Sequence, residues 1–146
     1  MILLLIGTVY EINALRARSS AEDYVALGNE MGISGGHIEA VKAFKNALKI
    51  DPYYIPAYLG LGMAYGNSGR SNEAIEIFKE GIKLNSTHYS VPQMQMGIAL
   101  LAYNNLNDVK TAVQYTKKAL QIFTDQGNYA GVALAAHRLK QFDPDP

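Results

Sequence analysis

The chain has 146 residues, 49% of them apolar and 18% charged, enough for one domain around one modest core. Thirteen basic and thirteen acidic side chains balance, which argues against a nucleic-acid binder that works by broad phosphate neutralisation. With no cysteine there is no disulfide, thiolate metal site or thiol nucleophile.

Met1 to Ile6 are almost wholly aliphatic, and the run continues to Tyr10 before Glu11 interrupts it. Such a run is shorter than the roughly 20 apolar residues a bilayer core requires. Neither a basic n-region nor a small-x-small cleavage site marks a secretory signal. Three readings of residues 1–18 stay open: an apolar helix covering the open end of a helical stack, the tail end of a membrane anchor flanked by Arg16 and Arg18, or a hydrophobic arm lying in a groove of its own or a neighbouring chain.

Ser19-Ser20-Ala21-Glu22 has the form of a capping box, so a helix is expected to start here. Beyond it Tyr24, Leu27, Gly28, Ala40, Phe44 and Ala47 are followed, 34 residues later, by Tyr58, Leu61, Gly62, Ala74, Phe78 and Gly81. Within each unit the small residues allow two antiparallel helices to approach closely, and the rings fill the space beside them. The stretches 32–36 and 66–69, rich in glycine, read as helix stops. Ser90-Val91-Pro92-Gln93 predicts a second capping box, with proline in the first turn. In the third unit Met96, Gly97 and Leu100 are aligned with Leu61, Gly62 and Tyr65, and Ala112 with Ala74. That alignment places about three extra residues around Tyr103 to Asn107, makes Asn107 the cap of the next helix, and puts Thr116 where the aromatic should stand. After a break at 125–128, Tyr129, Val132, Ala133, Ala136 and Leu139 recur at helical spacing, predicting a last helix that the tail Asp143-Pro144-Asp145-Pro146 cannot continue.

Tyr58-x2-Leu61-Gly62-x2-Tyr65, then Ala74-x3-Phe78, resembles the tetratricopeptide repeat, with Tyr in place of Trp. The resemblance implies an all-α fold: a right-handed α-solenoid of about three repeats (21–54, 55–88, 89–124) with an N-terminal helix and a C-terminal capping helix over 128–142. Residues 1–18 form the apolar helix or arm, 19–142 the repeat domain and 143–146 a tail. In this family the first helix of each unit lines a concave groove. The positions implied here are Val25, Asn29 and Ile33, then Leu59, Met63 and Asn67, then Met94, Ile98 and Leu101, with Glu22, Gly32, Pro56, Gly66, Val91 and Ala102 beside them. One subgroup clamps the C-terminal carboxylate of chaperones with Lys, Asn and Arg. Here only Asn29 matches, Val25 and Gly60 stand where a lysine and a second asparagine would, and the third unit's first helix has no cation, so no such clamp is expected. The helix from Val91 to Tyr103 is apolar nearly all round, and its stripe of Val91, Met94, Ile98 and Leu101 is either open to a ligand or covered by the protein itself.

Motifs for chemistry are weak. Gly60, Gly62 and Gly66 imitate a dinucleotide fingerprint, but they lie inside a helix and the spacing misses by one residue. His37, His88 and His137 are not at metal-ligand spacing. Glu73, Glu76 and Glu80 with Lys79 and Lys83 read as a solvated helix face, and Asn85-Ser86-Thr87 is a formal glycosylation sequon without a secretion signal. No catalytic group, metal or cofactor is expected. The expectation is a non-enzymatic adaptor or scaffold that binds a helix or an apolar peptide of another protein in its groove. The alternative is a self-assembling subunit whose N-terminal arm occupies a neighbouring groove. The partner is then protein or peptide and not nucleic acid; membrane attachment through the N-terminus and a homo-oligomer stay open, and the expected location is the cytoplasm or the cytoplasmic face of a membrane.

Overall fold

The computed structural model describes residues 20–143. The three readings of residues 1–18, the Ser19 cap and the end of the tail therefore lie outside the described residues.

Among the described residues there are seven helices and no strand. Residues 20–33 form α1. It is followed by α2 (His37–Ile50), α3 (Ile55–Asn67), α4 (Ser71–Leu84), α5 (Val91–Leu106), α6 (Val109–Asp125) and α7 (Tyr129–Phe142). Gly35 and Gly69 adopt φ of 81° and 78° in the turns that close α1 and α3, a region where a side chain would be strained. Pro56 and Pro92 occupy first-turn positions of α3 and α5, where the missing N–H has no helical partner to lose. From α2 onward each helix packs on the next, and α3 also meets α5 directly, so the first helices of successive units line up side by side in an all-α solenoid.

Phenylalanines set the spacing. A Cβ on Gly28 would stand 2.7 Å, and one on Gly60 2.2 Å, from the ring of Phe44. Phe78 is held in the same way between Gly62 of its own unit (2.4 Å) and Gly97 of the next (2.6 Å). Each ring therefore needs one bare backbone on the helix before it and another on the helix after it. Around these contacts Ala40, Leu61, Ala64, Tyr65 and Ala74 close the first core, and Ile55, Ile75, Met94 and Ile98 the second.

Two predicted caps differ. Ser90 makes no side-chain cap: its backbone is already near helical (φ −82°, ψ −6°), and its N–H donates to Nδ1 of His88 at 3.1 Å. The Gln93 amide donates instead to the carbonyls of Tyr89 and Ser90 (2.8 and 3.2 Å). Asn107, with φ of 52°, ends α5, and the cap of α6 is Asp108, whose carboxylate accepts the Thr111 N–H at 2.9 Å. α5 is longer than α3, 16 residues against 13. The extra turn carries Asn105, whose Nδ2 donates to Ser71 Oγ at 2.7 Å and ties α5 to the start of α4.

Candidate functional site: a groove across α1, α3, α5 and α7

The first helices of the units share one face, and two adjoining cavities open on it. One, of about 390 Å³, lies between α1 and α3 and is lined by Asn29, Ile33, His37, Phe44 and Met63 among others. The second, of about 510 Å³, is lined by Leu59, Met63, Met96, Leu100, Leu101 and Leu134 among others, and so takes in α3, α5 and α7. Both volumes suit a few side chains of a ligand. Met63 and Asn67 line both cavities and form the ridge between them. Among the described lining residues none is Lys, Arg, Asp or Glu, and His37 is the one imidazole.

Of the residues implied by the repeat pattern, Asn29, Ile33, Leu59, Met63, Asn67 and Leu101 stand on the groove. Val25 is half-buried against the two cores beside α1. Met94 and Ile98 have to be corrected. Both are 0% exposed and packed with Ile55, Ile75 and Phe78, so this part of the stripe is covered by the protein's own α3 and α4, while Leu101 lines the cavity. Val91 and Ala102 are buried as well.

The reason is phase. Gly97 packs on Phe78, the ring of the preceding unit, and therefore takes the place of Gly60; the alignment had put it at Gly62. The offset from the second unit is thus 37 residues at this point, two more than the pattern assigned. Moving the groove positions by two residues turns Met94 and Ile98 inward and brings Gln93, Met96 and Leu100 to the cavity. Two glycines flank Phe78, but α5 offers only Gly97. A glycine that meets the aromatic of the preceding unit was the signal available for the right phase.

Sequence reasoning also missed α7 as part of the site. Gly131 lies against Phe123 of α6, where a Cβ would stand 2.4 Å away, as Gly60 and Gly97 lie against the phenylalanines before them. Hence α7 both covers α6 and repeats the role of a unit's first helix. Leu134, 48% exposed, then falls where Met63 falls in α3. At its far end Phe142 stacks on Tyr103 with ring centroids 4.4 Å apart, fixing α7 beside α5.

Outside the groove, Arg70–Glu73 and Lys79–Glu76 pair at 2.9 and 2.8 Å on the wet face of α4. Such exposed pairs contribute little. No group of three His, Asp or Glu among the described residues could hold a metal ion, and none of the described helices is long and apolar enough to cross a membrane.

A tetratricopeptide repeat model matches residues 34–101. No curated protein matches the sequence. In fold the chain is similar to PcrH of Pseudomonas aeruginosa in complex with the chaperone-binding region of PopD (TM-score 0.78, 22% identity, covering 86% of this chain and 92% of that one). It is also similar to SycD, a type III secretion chaperone of Yersinia enterocolitica, in complex with a peptide of the translocator YopD (0.76, 17%, 86% and 93%). A third similar structure is the first repeat domain of Spaghetti (RPAP3) bound to an HSP90 peptide (0.74, 16%, 87% and 93%). The family model matches residues 34–101, where the 34-residue offset is laid down, and the fold is shared with solved repeat domains, so this stretch carries tetratricopeptide repeats.

Proposed function

We propose that the chain is a non-catalytic adaptor that binds an apolar segment of another protein across α1, α3, α5 and α7. The observation that carries the reading is the pair of apolar cavities sharing the Met63–Asn67 ridge. Met63 remains 54% exposed between them in a protein whose other groove methionine, Met96, is buried. An exposed flexible thioether between two cavities can repack around ligand side chains, whereas a core methionine cannot. Burial of apolar area supplies the affinity, at roughly 25 cal/mol per Å² before the costs of association. The structures in which PcrH, SycD and the Spaghetti domain hold peptides support this reading by analogy of fold. The alternative of an assembly arm concerns residues outside the described ones and draws no support from the groove.

The test is selection of random twelve-residue peptides displayed on phage against the full chain, with Met63→Glu as the comparison. Because Met63 packs little of its surface, the substitution is expected to leave the melting temperature nearly unchanged while abolishing recovery of apolar-anchored peptides. Peptides recovered equally by both proteins would place binding elsewhere.

A further inference from the structure

The groove lining carries no charged side chain, but α7 sets a cation beside it. Arg138 lies one helical turn beyond Leu134, so the two share a face of α7. Leu134 lines the larger cavity. The Arg138 stem is half-buried; Nη1 donates to Gln141 Oε1 at 2.7 Å, and Nε is buried with no acceptor. Among the described residues no carboxylate pairs with this guanidinium; the ion pairs there are those of Arg70 and Lys79. A guanidinium presents a rigid fork of donors, and a buried N–H left without an acceptor is costly. Nε is closed to a ligand, but the fork has donors beyond the one given to Gln141, and a ligand carboxylate can take these up.

Resting on the binding reading above, we infer that α7 is the selective wall of the groove. Leu134 receives an apolar side chain of the bound segment, and Arg138 receives the carboxylate of an Asp or Glu side chain close to it. Leu134 and Arg138 are separated by about 6 Å along the helix axis. In an extended segment side chains two residues apart are about 6.6 Å apart on one face, so the acidic residue is expected about two positions from the apolar anchor. The occupant is thus an internal, apolar segment with one acid. The match is charge complementarity with an otherwise uncharged groove.

The experiment uses the same phage display, in which fusion blocks the peptide's C-terminus, against the full chain, Arg138→Gln and Arg138→Lys, each checked for folding by circular dichroism. Binders are then resynthesised with amidated C-termini, and their dissociation constants measured by fluorescence anisotropy at low and high salt. The expected result is enrichment of Asp or Glu near the apolar anchor for the native chain, lost with Arg138→Gln. Affinity should fall on the order of tenfold when either Arg138 or the peptide acid is neutralised, with no further loss when both are. Arg138→Lys should keep the salt dependence and lose part of the affinity. Apolar peptides indifferent to Arg138 overturn this inference alone. Failure to recover any peptide overturns the binding reading and this inference with it.

Discussion

Phe78 shows how single residues determine where helices can lie. Its ring is 2% exposed and pressed between the backbones of α3 and α5, at Gly62 and Gly97. A methyl group on Gly97 would stand 2.6 Å from the ring, inside van der Waals contact, and the ring is held from the other side by Gly62. Gly97→Ala is therefore expected to destabilise the chain by about 1–3 kcal/mol, read as a lower denaturant midpoint at unchanged slope. An unchanged midpoint would mean that Phe78 does not set the α3–α5 spacing. The corrected phase makes a matching claim for Met94. Buried against Phe78 and Ile55, it should cost about 2–5 kcal/mol as Met94→Ala, a loss that a half-exposed groove residue would not produce.

At the scale of the element, the connection from α4 to α5 is a turn that contains a titratable group. Asn85 Oδ1 accepts from the N–H and the hydroxyl of Thr87, and His88 Nδ1 accepts the Ser90 N–H, so the turn is held by side chains acting on nearby backbone. Burial pushes the His88 imidazole below its ordinary value, which favours the neutral ring that can accept at Nδ1. The unfolded chain then binds the proton first as pH falls. This contribution is fully present above the unfolded value of about 6.5 and declines as pH falls from there toward the lower folded value. Thermal melts from pH 7.5 to 5 are expected to show a drop that His88→Asn flattens, since an Asn oxygen can accept the same N–H without titrating. An equal drop in both proteins would exclude His88 as its source. The Asp108 cap has the same sign at lower pH: the Thr111 hydroxyl and N–H hold its carboxyl below the ordinary range, and its support of α6 is lost only as pH falls through that lowered value.

For the whole molecule, stability in a solenoid is a sum over neighbours, so the last helix matters to the unit it covers more than to the rest. Removing α7 would uncover Phe123, Met96 and Ala119, and would take Phe142 away from Ala99, Ala102 and Ala112. A chain ending at Asn128 is expected to melt lower by on the order of 10 °C or more, given the apolar side chains exposed. Hydrogen exchange should show protection lost in α5 and α6 and retained in α2 and α3. Uniform loss over all helices would instead show one indivisible cooperative unit.

Much of the architecture was legible from residues alone. The 34-residue recurrence of Tyr, Leu, Gly, Ala and Phe identifies the helix pairs because those types are demanded by close packing within a unit, and glycine-rich stops mark the turns because few other residues adopt positive φ. The groove positions on α1 and α3 were implied by the resemblance to the tetratricopeptide repeat, and of these Asn29, Ile33, Leu59, Met63 and Asn67 line the two cavities. What only the tertiary structure decided lies where the recurrence weakens. In the third unit Gln95 and Thr116 stand in place of the aromatics Tyr58 and Phe78, and one glycine serves where the second unit has two, so the helical period by itself permits more than one phase. Contact with Phe78, a ring belonging to the preceding unit, selects among them, and that choice buries Met94 and Ile98 while exposing Gln93. The same holds for α7. Periodicity predicts the helix, but its place beside α5, with Leu134 on the groove, depends on Gly131 meeting Phe123 and Phe142 meeting Tyr103, contacts between elements that no local pattern encodes.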